Sequence, residues 1–420
     1  MNSRSVAWRM IQVLVVVAGL HACWQLFGHL PYHIDTDVYR LGGRAWLDGR
    51  PLYADGAMFK TQAGLELPFT YPPLAAILFS PLALVGLPVA GVILTAITVV
   101  LAAVSVWIVL SRLEVAQTWP VAGHGWSRRC WLAAGIVAVS VTTLEPIRAN
   151  FSFGQINVVL MTLVIADCVP RRGAFASWWP RGALLGLAIA LKLTPAVFLV
   201  YFAMRRDRRA LLWTGLSVVV ATALGAALAW SDSVQYWTTT VRHTDRIGTA
   251  TWNTNQNLAG GLARLGLSQK PQFVLWALSC LVVLALTVWA VRRLLAAEAP
   301  TMAFFSVALF GLVVSPVSWS HHWVWALPTL TVTTVLAYRD RNIALALLSV
   351  GGIALMVWSP ITLLPEHHEA EASWWRQIVG MSYVWWALAV ISAAGATAAR
   401  GVSRPQCLES VPKRELVEPN

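Results

Sequence analysis

The chain has 420 residues, of which 57% are hydrophobic and 12% charged, with a mean hydropathy of +0.63. That composition excludes a soluble domain as the main body. The net charge of +12 is not the footprint of a nucleic-acid binder, because the basic residues cluster in short loops, as membrane topology requires.

Apolar runs of about 17 to 23 residues recur along the chain, each long enough to cross a bilayer as a helix. The first is expected from about Trp8 to Leu30, after Arg4 and Arg9. LHAC at Leu20–Cys23 loosely resembles a lipoprotein cleavage box, but the run is long enough to span, so an uncleaved first helix is expected. A large polar loop follows, Pro31 to Tyr71. Pro72 and Pro73 open a short apolar segment to Val85, and a full span follows from about Leu87 to Leu110. After Arg112, Arg128 and Arg129, a span from Cys130 to Leu144 leads to a polar turn, Glu145–Asn157, and the chain returns through Val158–Val169.

Gly182–Met204 is apolar, yet basic residues flank both ends, and Lys192, Thr194 and Pro195 interrupt its middle. One straight span would leave a basic cluster on the wrong side. Two half-helices turning at Lys192–Pro195 keep both clusters inside, and that hairpin is expected. A span from about Leu211 to Trp230 precedes a second large loop, Ser231–Lys270. Five more spans are expected near Gln272–Ala290, Met302–Val317, Trp323–Tyr338, Ala344–Trp358 and Gln377–Ala398. The segments on the side of the termini hold twice as many Lys and Arg as the opposite loops, so both termini are placed inside and the large loops outside. The reading is an all-α polytopic membrane protein of about ten full spans plus a half-helix hairpin. It forms one transmembrane domain, 1–398, with a polar cytoplasmic tail, 399–420, expected to be disordered. The five Cys lie in apolar runs or the tail without metal-ligand spacing, and no disulfide is expected.

This topology puts four polar clusters on the outer face, where they can converge on one site. In the first, HIDTDVY at His33–Tyr39, the acids Asp35 and Asp37 stand at the mouth of a membrane helix. One of them can cap a surface helix, and either can serve as a general base toward a sugar hydroxyl. The second is the Glu145–Asn157 turn, with Arg148, Asn150, Gln155 and Asn157. The third is WNTNQN at Trp252–Asn257, with Asn253, Asn255, Gln256 and Asn257. The fourth is the turn Trp319–Trp323, with His321 and His322. Amides suit sugar hydroxyls but also satisfy loop backbones. A His can donate to a phosphate or sugar oxygen, and the face of Trp319 can stack on a sugar. The outer turn can equally be an interfacial anchor. Lys192, costly in an apolar run without a partner, and Arg148 are the cations available to hold a lipid phosphate. No zinc-ligand spacing is present.

DTDVYR at Asp35–Arg40, LDGRPLY at Leu47–Tyr53, FTYPP at Phe69–Pro73, GQIN at Gly154–Asn157, KLTP at Lys192–Pro195, NQN at Asn255–Asn257 and SWSHHW at Ser318–Trp323 share their order and spacing with a known family. Together they resemble the actinobacterial polyprenol-phosphate-mannose-dependent α-mannosyltransferases, glycosyltransferase family 87. The resemblance runs from Asp35 to about Trp323. Within the family the chain is most similar to mycobacterial α-1,2-mannosyltransferases that extend phosphatidylinositol mannosides.

The resemblance implies a GT-C glycosyltransferase bundle in the inner membrane, with catalytic loops facing the periplasm. It implies a polyprenyl-phosphate-sugar donor, a glycolipid acceptor, and no nucleic-acid partner. It also implies an essential acid in the first loop. Asp35 fits the family position four residues before Tyr39, with Asp37 as the competitor. His322 joins the catalytic set. His321, Arg148, Lys192, Tyr39, Tyr71, Gln155, Asn157, Asn255, Gln256, Asn257 and Trp319 form the expected substrate-binding set. No cofactor or metal is expected, because a phosphate monoanion gains only one charge on leaving. An acceptor in lipomannan or lipoarabinomannan, branched through α-1,2 links, is the alternative within the family. A lipid or sugar transporter is the alternative from another class, since Lys192 in a broken helix also fits a substrate path. No inverted repeat is visible in the sequence, which argues against transport.

Overall fold

The computed structural model describes residues 3–53, 58–115, 125–169, 179–242 and 248–398. The tail from 399, expected to be disordered, lies outside the described residues. The first helices are α1 (Ser3–Cys23), extended by a π turn at Trp24–Gly28, and α2 (Ile34–Leu47). A two-stranded hairpin follows, β1 (Phe59–Lys60) antiparallel to β2 (Glu66–Leu67), with Phe59 opposite Leu67. Next come α3 (Pro73–Ala83), α4 (Leu87–Arg112), α5 (Gly125–Thr143), α6 (Glu145–Phe153), α7 (Asn157–Cys168) and α8 (Ala183–Leu191). A 3-10 turn at Thr194–Phe198 leads into α9 (Leu199–Met204), α10 (Arg208–Leu228), α11 (Trp230–Thr238), α12 (Leu258–Ala263), α13 (Gln269–Ala296) and α14 (Pro300–Val314). A second 3-10 segment, Ser320–Trp325, precedes α15 (Ala326–Arg339), α16 (Ile343–Trp358), α17 (Trp374–Gly380) and α18 (Ser382–Thr397).

Four helices among the described residues are long and apolar enough to cross a membrane: Ser5–Gly28, Leu87–Arg112, Arg208–Leu228 and Gln269–Ala296. Two bent pairs raise the count to six, α5 with α6 at 80° and α17 with α18 at 55°. The chain is a multi-pass membrane protein. The expectation of about ten full spans counted apolar runs, and several runs make shorter helices. Pro72 and Pro73 confine α3 to 11 residues, and α7 has 12, α14 15 and α16 16. Two of the short helices stop on polar turns: α7 begins at Asn157, and α14 ends before Ser318–His322. Such turns within membrane depth are tolerated where they are buried in protein.

The Gly182–Met204 run is broken where expected. Helix α8 ends at Leu191, and Lys192 is extended at φ −156°. Arg181, before α8, pairs with Asp207, after α9, at 3.3 Å. The segment therefore leaves and returns to one face, as a hairpin with Lys192 near its tip. A nine-residue helix rises only about 14 Å, so the tip stops well short of the opposite surface. The basic ends also collect on one face, where Arg112, Glu114, Glu298 and Arg339 line one shallow cavity. At the other ends of the helices, Trp24, Trp230, Trp358 and Trp374 are exposed, as indoles at a membrane interface are.

Candidate active site

Helix α2 carries the two acids of the first loop, and their surroundings differ. Asp37 is buried. Its carboxylate accepts from the Tyr32 hydroxyl at 2.8 Å and the Gln62 backbone N–H at 2.8 Å, and it pairs with Arg40 at 3.2 Å. Arg40 in turn donates to the carbonyls of Leu82, in the last turn of α3, and Val85, just beyond it. Asp37 thus ties α2 to its own loop and to α3. Asp35, two residues earlier, is half-buried and has no such cage. Burial raises its pKa to about 6, while a hydrogen bond from Gln155 and the charge of Lys192 pull the other way. A carboxylate tuned this way is a stronger base than an ordinary Asp, yet it is ionised at neutral pH.

Opposite Asp35 lies the turn between α6 and α7. Gly154 sits there in the left-handed region at φ +67°, which glycine adopts without penalty. Its lack of a side chain lets α2 approach, and Thr36 donates to the Gly154 carbonyl at 3.1 Å. Gln155 comes next and is buried. Its Oε1 accepts from the Tyr39 hydroxyl at 3.0 Å and the Tyr71 hydroxyl at 3.3 Å, and the two hydroxyls lie 3.0 Å apart. The Tyr39 ring stacks on Phe79 at 4.3 Å and meets Tyr71 edge-on. Packing therefore fixes both phenols.

The Lys192 ammonium donates to Asn157 Oδ1 at 3.0 Å and lies 3.5 Å from His322 Nε2. It also sits 5.3 Å over the Tyr71 ring. His322 Nδ1 accepts from the Trp319 backbone N–H at 3.2 Å, which leaves the proton of the neutral ring on Nε2. Burial, then the charge of Lys192, pushes the His322 pKa well down, so the ring is neutral at pH 7. His321 is buried with Nε2 unpartnered, and its ring lies against Phe153 and His322. Five separate stretches of sequence thus meet at one place: α2, the 69–73 segment at the start of α3, the 154–157 turn, the tip of the 182–204 hairpin and the 320–325 turn.

A profile of glycosyltransferase family 87 matches residues 69–316. Over 93% of this chain and 90% of its own length, a Mycolicibacterium smegmatis protein is 63% identical; it is named polyprenol-phosphate-mannose-dependent alpha-(1-2)-phosphatidylinositol mannoside mannosyltransferase. A Mycobacterium tuberculosis protein of the same name is 58% identical over 94% of this chain and 92% of its own length. The chain belongs to glycosyltransferase family 87. A second M. smegmatis protein, named for the phosphatidylinositol pentamannoside, is 35% identical over 70% of this chain and 68% of its own length. No solved structure matches.

In this family 87 glycosyltransferase the remaining expected site residues fall into two groups. Arg148 is exposed on α6, and its charge acts on Glu145. The amides of the 252–257 loop are buried and largely occupied by the protein itself. Asn255 Oδ1 accepts from the Ser318 N–H and from Asn257, its Nδ2 donates to the Ala250 carbonyl, and Asn257 Oδ1 caps α12 at Gly260. Gln256 donates to the Asn253 and Gly380 carbonyls, with only Oε1 left over. Trp319 is buried too. Its indole packs against Trp252, whose ring is the more exposed of the pair.

Two residues beside the site were not singled out in the sequence. Glu145 accepts from the Tyr383 hydroxyl at 2.8 Å and hydrogen-bonds Ser320, linking α18 to the His turn. In sequence Glu145 reads as an ordinary acid in the first turn of a helix. Glu369 accepts from the Asn253 N–H at 3.1 Å, and its charge acts on the buried Arg264, which holds the Thr251 and Trp252 carbonyls. Nothing local marks either pair, since the partners lie more than 100 residues apart.

Proposed function

We propose that this protein is an inverting α-1,2-mannosyltransferase that moves mannose from polyprenol-phosphate-mannose to a phosphatidylinositol mannoside. The observation that carries the reading is identity of 63% and 58%, over more than nine-tenths of the chain, to two proteins named for that reaction.

Asp35 is the general base. The acceptor 2-hydroxyl attacks C1 of the β-linked donor sugar on the face opposite the phosphate. As the new C1–O bond forms, the bond from C1 to the phosphate oxygen breaks, and its electron pair leaves with the polyprenyl phosphate. The hydroxyl proton passes to Asp35. Positive charge spreads over C1 and the ring oxygen in the transition state, as in glycoside chemistry generally. Negative charge grows on the phosphate, and Lys192 with the Nε2–H of His322 stabilises it as it grows. Asp37 serves the fold, because its oxygens are already held by Tyr32, Gln62 and Arg40. Asn255 and Asn257 likewise hold the loop that carries Trp252. No metal is needed, since Lys192 and His322 supply the neutralisation.

The same reading sets the topology. Helix α5 and the apolar helices α7, α14, α15, α16 and α18 are taken as full crossings beside the four long ones. That gives ten crossings and the hairpin, with the active site facing the periplasmic side of the inner membrane. The acceptor need not carry five mannoses. Identity is higher to the relatives whose names fix no mannose number than to those named for the pentamannoside.

The test is mannosyl transfer in membranes expressing the protein, with polyprenol-phosphate-mannose and a graded series of phosphatidylinositol mannosides. Elongation of at least one acceptor through an α-1,2 link is expected. Absence of transfer to every lipid-linked mannoside would overturn the reading.

A further inference from the structure

We infer that Gln155 and Asn157 are positioning residues whose two amides keep the base and the cation of the site apart, each available to its own substrate group. The inference rests on the reading of Asp35 as base and Lys192 as phosphate ligand.

Opposite charges removed from water attract strongly. If Asp35 and Lys192 closed on each other, the carboxylate would lose basicity and the ammonium would have little charge left for a phosphate. They are near enough for the charge of Lys192 to act on Asp35, yet they form no ion pair. The GQIN turn supplies an amide to each. The Oε1 of Gln155 is taken by the Tyr39 and Tyr71 hydroxyls at 3.0 and 3.3 Å, so its N–H groups are left for Asp35. Asn157 is set the other way. Its Nδ2 donates to the His321 carbonyl at 3.0 Å, which leaves Oδ1 for Lys192 at 3.0 Å. A flip of either amide would set donor against donor or acceptor against acceptor.

The backbone of the turn is fixed independently. Gly154 is left-handed, Thr36 holds its carbonyl, and Asn157 opens α7. The charged and titratable groups that face Asp35 are Lys192, Tyr39 and Tyr71. Those facing Lys192 are Asp35, His321, His322 and the Tyr71 ring. With neutral amides as the direct partners of both charges, a hydroxyl can enter at Asp35 and a phosphate at Lys192.

The experiment measures kcat and KM against pH for the detergent-solubilised full chain, with Asp35→Asn, Gln155→Met and Asn157→Asp beside the parent. Gln155→Met removes the donor to the carboxylate. Its acid limb is expected to move up by about one pH unit, with donor KM within twofold of the parent. Asn157→Asp gives Lys192 a carboxylate partner, so donor KM should rise at least tenfold. If Gln155→Met raises acceptor KM while its acid limb stays in place, Gln155 is a sugar contact and the inference falls. An unchanged donor KM in Asn157→Asp would also overturn it, and this arm stands if Gln155→Met fails to fold. Asp35→Asn separates the two levels: full activity there overturns the base assignment itself, while a silent Asp35→Asn with unmoved amide variants overturns only this inference.

Discussion

The Nζ of Lys192 and the Nε2 of His322 face each other at 3.5 Å, and both present protons. The Trp319 N–H on Nδ1 fixes the tautomer of His322, so an oxygen anion between the two nitrogens satisfies both. If both act on one phosphate, their losses should not multiply. Lys192→Gln and His322→Ala are each expected to lower kcat/KM by about 100-fold, and the double variant by well under the product of the two. A double-variant cycle that proved fully additive would separate the residues into two sites.

Asp35 and Asp37 should fail in opposite ways. Asp35→Asn removes a general base, so kcat should fall by about 10²- to 10⁴-fold. It also removes a carboxylate whose charge burial penalises, so the thermal midpoint in detergent should rise. A pKa raised to about 6 means that the folded state loses stability as pH climbs from about 4 to about 6 and stays penalised above that range. After discounting for partial exposure, the gain in Asp35→Asn at pH 7 is about 1 kcal/mol. Asp37→Asn weakens a buried ion pair and two hydrogen bonds, so its midpoint should fall. Whatever Asp37→Asn protein folds should retain transfer.

The pH dependence of the parent follows from the same carboxylate and from Lys192. The base works ionised and Lys192 works charged, so kcat/KM should rise with pH along a limb centred near 6 and fall again as Lys192, whose pKa burial lowers to about 8, loses its proton. An ordinary exposed Asp would put that limb about two units lower. Neutral His322 should contribute no basic limb in this window, because its pKa is pushed down by burial and by Lys192. A pH–rate profile between 4.5 and 8.5 (about four units around the midpoint) measures both statements.

Gly154→Ala should damage fold and activity together. The left-handed backbone at φ +67° costs an alanine about 1–2 kcal/mol. The added Cβ would also come within 2.1 Å of Thr36 Oγ1 and 2.9 Å of the His33 Cβ. Relief requires α2 to back away from the 154–157 turn, which pulls Asp35 from Gln155. Lower expression and a reduced kcat in the surviving protein are expected. An active, normally stable Gly154→Ala would show that the close approach of α2 is dispensable.

The hydrophobic runs and their basic flanks determined on their own that the chain crosses a membrane many times and that the 182–204 segment breaks at Lys192. Both follow from bilayer thickness and the cost of moving charge across it, which are one-dimensional rules. The order of short motifs was enough to indicate the family. The sequence preferred Asp35 to Asp37 only by its family position four residues before Tyr39, because two acids spaced by one residue look alike along a chain. The folded chain separated them: Tyr32, Arg40 and the more distant Gln62 enclose Asp37, while Gln155 and Lys192 reach Asp35 from more than 100 residues away. The amide-rich loop at 253–257 suited either sugar hydroxyls or loop backbone in the sequence, and in the fold its amides meet carbonyls and N–H groups of the protein itself. Which end of an amide faces which neighbour is decided only when distant helices pack. For that reason the opposed settings of Gln155 and Asn157, two residues apart in one motif, had no signature in the sequence.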